Sequence, residues 1–205
     1  MSSLPIAFLP GGGGRSSYWR PVADRLWRHG APMVFGYPGF GDVPAEPSLP
    51  RLDDYFRALL ATLPDRFHLV AQSMGNVLAL RMAFEHPERV ASLTSCAPSG
   101  GIDVLSLGAA QWRPLLGAEQ PATVPRWFYD DASDFTMNLG SIVAPTLVLT
   151  GDADPLSPPA VGAFLRDRIP ASTLHVLRGG THTVAYDEPD RVAALIGTFL
   201  GSLAR

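Results

Sequence analysis

The chain has 205 residues, 46% of them hydrophobic and 17% charged, and a formal net charge of -3. That length and apolar fraction suit one domain with a sizeable core, and the slight acidity without any long Arg run argues against nucleic acid or an anionic membrane surface as the main partner. Cys96 is the only cysteine, so no internal disulfide and no cysteine-based metal cage can form.

The opening residues, MSSLPIAFLPGGGG, carry no positive charge, and their apolar run is too short for a signal peptide or a spanning helix. A soluble, cytoplasmic protein is the expectation, with a small-molecule substrate and no membrane partner. The strand candidate PIAFL is followed by a predicted helix from about Tyr18 to His29, then by PMVFG and a helix from about Leu52 to Leu63. FHLVA leads through Ser73 into a helix ending near His86, and RVASLTSC reads as a fourth strand. Between about Ser99 and Val143 the rhythm breaks into Gly, Pro and aromatic residues without a clear period. It resumes with PTLVLT, a helix from about Pro158 to Arg168, the strand STLHVL and a closing helix from about Glu188 to Leu203.

Near-continuous apolar strands alternating with helices predict an α/β fold, a doubly wound, mainly parallel sheet of about six strands. The single domain, 1–205, would carry a short cap insertion at about 99–143. Trp112, Trp127 and Phe128 give that insertion apolar surface to bury and are the expected pocket aromatics.

Four glycines follow the first strand in LPGGGGR. So much backbone freedom suggests a close approach to the main chain, by a phosphate or by a developing oxyanion. A dinucleotide site would need an acid at the end of the second strand, which instead reads FGYPGFG, and no Lys followed by Ser or Thr closes the glycine run. The oxyanion reading gains from AQSMG, Ala71 to Gly75, between a strand and a helix. A nucleophile on so sharp a turn needs small flanking residues, and Ala71 and Gly75 are small. Ser73 would then stand at the C-terminal edge of the sheet beside the Met74 N–H and the positive end of the helix.

A serine hydroxyl needs a base, and the base needs a carboxylate to hold its tautomer. PTLVLT ends in GDADP, which offers Asp152 and Asp154, and STLHVL ends in RGGTH, which offers His182. Ser, acid and His in this chain order, with FLPGGGGRSSYWRPVADRL, GYPGFGD, EHPERVASL, APTLVLTGDADPLSP and RGGTHTVAYDEPDRV, resemble the α/β-hydrolase superfamily over almost the whole chain outside the insertion. The resemblance implies Ser73 as nucleophile, His182 as general base and acid, and Asp154 as its orienting carboxylate, with Asp152 as alternate. It places the oxyanion donors at the N–H groups of Gly12 and Met74, Gly13 competing for the former. It implies no cofactor and no metal. The implied activity is hydrolysis of an ester or related acyl bond in a small, largely apolar substrate. Carbon–carbon bond hydrolysis, a lyase reaction, perhydrolysis or non-catalytic ligand binding are the alternatives that the scaffold admits.

The chain departs from the superfamily pattern at Pro10, where a histidine is common, and at Ala71 and Asn76, where glycine is common. His29, His68, His86 and His175 read as structural, Cys96 as a small buried residue, and Trp19 as packing for the first helix.

Overall fold

A computed structural model describes residues 3–41, 43–112 and 124–203. Six strands form one all-parallel sheet: β1 (Ile6–Leu9), β2 (Pro32–Val34), β3 (Phe67–Gln72), β4 (Val90–Cys96), β5 (Thr146–Gly151) and β6 (Ser172–Leu177), in the order β2-β1-β3-β4-β5-β6. The α/β architecture is therefore the one expected, and every strand falls on its predicted run, β3 and β5 each reaching one residue beyond it, to Gln72 and Gly151. β2 is shorter than PMVFG, although the Phe35 N–H still reaches the Phe8 carbonyl at 3.0 Å.

Period-two alternation in β1 divides the core. Ile6 and Phe8 face the side covered by α1 (Arg20–Leu26) and α7 (Pro189–Leu203), while Ala7 and Leu9 face α2 (Leu52–Thr62), α3 (Gly75–Glu85) and α5 (Pro159–Arg168). On α7, Val192, Ile196 and Leu200 repeat every four residues and are buried, with Ala193 and Gly197 beside them, so a single stripe docks on the sheet and α1. α1 is shorter than Tyr18–His29: Ser16–Tyr18 is a turn of 3-10 helix, and the α-helix starts beside Pro21. A short α6 (Val184–Asp187) precedes α7, and Pro189 starts the new helix because it has no N–H to continue the old one.

The excursion between β4 and β5 contains a 3-10 turn at Leu105–Leu107, the helix α4 (Arg126–Asp130) and a 3-10 segment at Thr136–Ser141. Its base is pinned where Gly101 pairs with Asp134 in an isolated bridge and the Phe135 N–H donates to the Gly101 carbonyl at 2.8 Å. Part of the expected insertion, 113–123, lies outside the described residues. Among the described residues no helix is long and apolar enough to cross a membrane. The connection leaving β1 runs to β2 on one side and the connection leaving β3 runs to β4 on the other, so a crevice opens at the carboxyl ends of β1 and β3.

Candidate active site

Ser73 sits in that crevice, on the turn between β3 and α3, with φ of +53°. An L-residue rarely holds this left-handed conformation, so the surroundings must enforce it. The Ser73 N–H donates to the Cys96 carbonyl at 3.1 Å, and the Asn76 side-chain amide donates to the Ser73 carbonyl at 3.0 Å. Ser95 on β4 donates in turn to Asn76 Oδ1 at 2.5 Å. Asn76 is fully buried, so at a position where glycine is common this chain carries an amide that braces the strained turn.

Gly75 shows why the flanking residues must be small. A Cβ there would lie 2.6 Å from the Pro10 carbonyl oxygen and 3.0 Å from the Leu9 carbonyl oxygen. The nucleophile turn thus packs main chain against main chain on the end of β1. Pro10 has no side-chain donor, but the buried Tyr37 hydroxyl from GYPGFG donates to the Pro10 carbonyl at 2.5 Å and steadies the glycine loop from below. Burial pushes the Tyr37 pKa well above its ordinary value, which keeps the hydroxyl protonated as a donor.

The glycine loop closes through a turn in which the Gly14 N–H donates to the Gly11 carbonyl at 2.9 Å and Gly14 adopts φ of +58°. Over Gly12 lies the Phe128 ring, whose Cζ would be 3.0 Å from a Cβ at that position. Neither the Gly12 nor the Met74 N–H is used by a backbone acceptor among the described residues, and the same is true of Gly13. Gly12 and Met74 line the same cavity as Ser73.

His182 follows β6 and points its Nε2 at Ser73 Oγ, 2.8 Å away. Its Nδ1 lies 2.9 Å from Asp154 Oδ2, and Asp154 is 3% exposed. Since the carboxylate only accepts, Nδ1 carries the proton and Nε2 is left to accept from the serine hydroxyl. Asp154 Oδ1 also accepts the Leu156 and Ser157 N–H groups, at 2.8 and 3.1 Å, which fixes the carboxylate plane. Asp152 is exposed and turns away, accepting the Gly179 N–H at 2.6 Å. The two acids left open by the sequence are therefore separated by geometry: Asp154 holds the histidine, and Asp152 ties one loop to the next.

Gln72, the residue before the serine, donates from Nε2 to the His182 carbonyl at 3.1 Å and joins the nucleophile turn to the histidine loop. Sequence reasoning did not single it out, because the partner is 110 residues distant and its adjacency to Ser73 was the only signal. Cys96 is fully buried, and burial with the nearby negative Asp154 pushes its thiol pKa up to about 12, so it offers no thiolate nucleophile.

A cavity of about 540 Å³ opens over Ser73 beneath the insertion. Val77, Ile102, Val104, Leu156, Trp112 and Phe128 give it apolar walls, and Trp112 and Phe128 lie with ring centroids 5.2 Å apart. Trp127, also expected at the pocket, is not there. It stacks on Tyr55 of α2 at 5.9 Å and 11°, since neighbouring residues of a helix diverge by about 100° and here Phe128 is carried to the cavity and Trp127 to the body. Trp19 is fully buried, its indole N–H donating to the Leu9 carbonyl at 2.8 Å. His68 pairs with Ser92 at 2.8 Å, His86 stacks on Phe56, and His175 is exposed on β6, all remote from Ser73 in the chain's arrangement. Among the described residues no three His, Cys, Asp or Glu side chains converge to hold a metal ion.

The chain is similar to known proteins. The sequence profile of the Alpha/beta hydrolase family matches residues 6–139. A pimeloyl-[acyl-carrier protein] methyl ester esterase of Aeromonas salmonicida is 25% identical, the alignment covering 96% of this chain and 95% of the relative. A putative non-heme chloroperoxidase of Synechocystis is 36% identical over 44% of this chain and 33% of its own length. In three dimensions the enol-lactonase of Burkholderia xenovorans superposes with a TM-score of 0.80, covering 98% of this chain and 92% of that one at 17% identity, a likeness of fold.

Proposed function

Because the chain belongs to the alpha/beta hydrolase family, we propose that it is a cofactor-independent serine hydrolase that cleaves an ester or related acyl bond of a small, largely apolar substrate. The observation that carries this reading is the continuous chain from Ser73 Oγ to His182 Nε2 at 2.8 Å and from His182 Nδ1 to Asp154 Oδ2 at 2.9 Å. Further support comes from the apolar walls of the cavity and from the esterase among the relatives.

In this mechanism Ser73 Oγ attacks the substrate carbonyl carbon as His182 Nε2 takes the hydroxyl proton. The negative charge that develops on the carbonyl oxygen is met by the N–H groups of Gly12 and Met74, and by the positive end of α3. Buried Asp154 stabilises the imidazolium that forms. His182 then gives its proton to the leaving oxygen, the C–O bond breaks, and the acyl group stays on Ser73. A water molecule, deprotonated by His182, repeats the attack and releases the acid. The positive φ at Ser73 serves this sequence by lifting the hydroxyl clear of the sheet towards both the base and the donors.

The test is intact mass after incubation with a fluorophosphonate probe, followed by turnover of short- to medium-chain esters. Wild type should gain a single adduct and hydrolyse esters, and Ser73→Ala should do neither while keeping its Tm. No adduct on folded wild-type protein, or full activity in Ser73→Ala, would remove the mechanism and favour non-catalytic ligand binding or another nucleophile.

A further inference from the structure

Ser73 is open on two sides. Besides the cavity beneath the insertion there is a second, of about 360 Å³, between the glycine loop and the histidine loop, with Arg15, Tyr18, Gln72, Thr183 and Tyr186 among its walls. The two cavities share Gly12, Gly13, Ser73 and His182. They therefore meet at the reacting atoms, as a substrate with one group on each side of a carbonyl requires. His182 must hand its proton to the departing oxygen, and only the second cavity is also walled by Thr183 and Tyr186, which follow His182 in the chain. The leaving group belongs on that side, and the acyl group against the apolar walls of the larger cavity.

The charged residues lining the two sides differ in sign, Asp187 standing behind the second cavity, where it accepts from the Thr183 hydroxyl at 2.6 Å. Asp103, Asp131 and Asp134 line the larger cavity with no arginine among the described residues there. Arg15 lines the second, with no carboxylate among its described walls. The ion pairs among the described residues engage other arginines, and Arg15 is in none of them. Beside it the Tyr186 ring, 55% exposed, stacks on Tyr18 at 6.2 Å and 22°, which presents a flat face at the cavity mouth.

Resting on the serine-hydrolase reading, we propose that the second cavity is a leaving-group subsite selecting esters whose alcohol is flat and carries a carboxylate or phosphate, with Arg15 as its recognition residue. A guanidinium is suited to either anion through paired N–H donors. The carboxylates opposite oppose an anionic acyl group, so the substrate binds in one direction.

The experiment compares the butyrate esters of 3-hydroxybenzoate and 3-hydroxybenzamide, which form the same butyryl-enzyme, so that any difference in kcat/KM arises in acylation. Wild type should prefer the carboxylate ester by about 5-fold, the scale of one exposed charge pair, and the preference should shrink as salt is added. Arg15→Gln should bring the ratio to about one, and Arg15→Glu should invert it. Turnover without that preference, a preference indifferent to Arg15→Gln, or probe labelling of Ser73 without turnover of either ester overturns the inference alone. Neither labelling nor turnover overturns the hydrolase reading and the inference with it.

Discussion

Replacing Gly75 with alanine puts a methyl group where two loops of the active site touch. Its Cβ would lie 2.6 Å from the Pro10 carbonyl oxygen and 3.0 Å from both the Leu9 carbonyl oxygen and the Tyr37 hydroxyl. Two of these atoms belong to the main chain at the end of a central strand and cannot rotate aside. An ordinary contact of 3.4 Å requires the Pro10 carbonyl to retreat by about 0.8 Å, and the shift passes directly to Gly11 and Gly12. Overpacking of this kind costs roughly 1–3 kcal/mol, and in a chain of this size each kcal/mol lowers Tm by about 2–4 °C. A donor displaced by nearly 1 Å from the developing oxyanion costs on the order of 100-fold in turnover. Thermal unfolding and ester-hydrolysis kcat read the two effects separately. Gly201→Ala, where a Cβ meets nothing within 4 Å, is the control and should hold Tm or raise it by up to about 4 °C, the equivalent of about 1 kcal/mol of helix propensity. Native Tm and native kcat in Gly75→Ala would refute the view that this main-chain contact sets the position of the glycine loop.

Asp154→Asn should reduce kcat by roughly 10⁴-fold through loss of the correct histidine tautomer, whereas Asp152→Asn should retain most of the activity and lose some loop stability. The reverse ranking in steady-state assays would reassign the acid. Cys96 should resist iodoacetamide in the native protein at neutral pH and react once unfolded, read by intact mass. Its folded pKa of about 12 lies above the thiol's ordinary value of 9.0, so the stability it contributes is fully present below about pH 9 and is lost as pH rises towards 12. The Tm advantage of wild type over Cys96→Ala should therefore narrow across that interval, and a constant gap would contradict the burial argument.

The sheet was legible because a parallel strand covered on both faces must be apolar at nearly every position, and FHLVA, RVASLTSC and PTLVLT have few other readings. Ser73 and His182 were legible for a related reason: each ends a strand at the same edge of the sheet, so chain order alone brings them together. Between Asp152 and Asp154 spacing could not decide, since the outcome depends on which carboxylate turns towards Leu156 and Ser157 and which towards Gly179. Trp127 was misplaced because its partner, Tyr55, lies on a distant helix, and a short helix with aromatics at adjacent positions gives no signal of which faces the ligand. The Tyr37–Pro10, Asn76–Ser95 and Gln72–His182 bonds escaped notice for the same reason: single side chains reaching across loops leave no periodic trace.

The bridge between Gly101 and Asp134 closes the neck of the segment that roofs the cavity. The described parts of that segment are held to the body at further points, by Trp127 on Tyr55 and by the Ala110 N–H, which donates to the Pro155 carbonyl at 2.7 Å. Specificity and chemistry are consequently joined through that segment: Phe128 walls the cavity and covers Gly12 while Trp127 anchors on Tyr55, so a change of acyl preference made there also acts on the glycine loop.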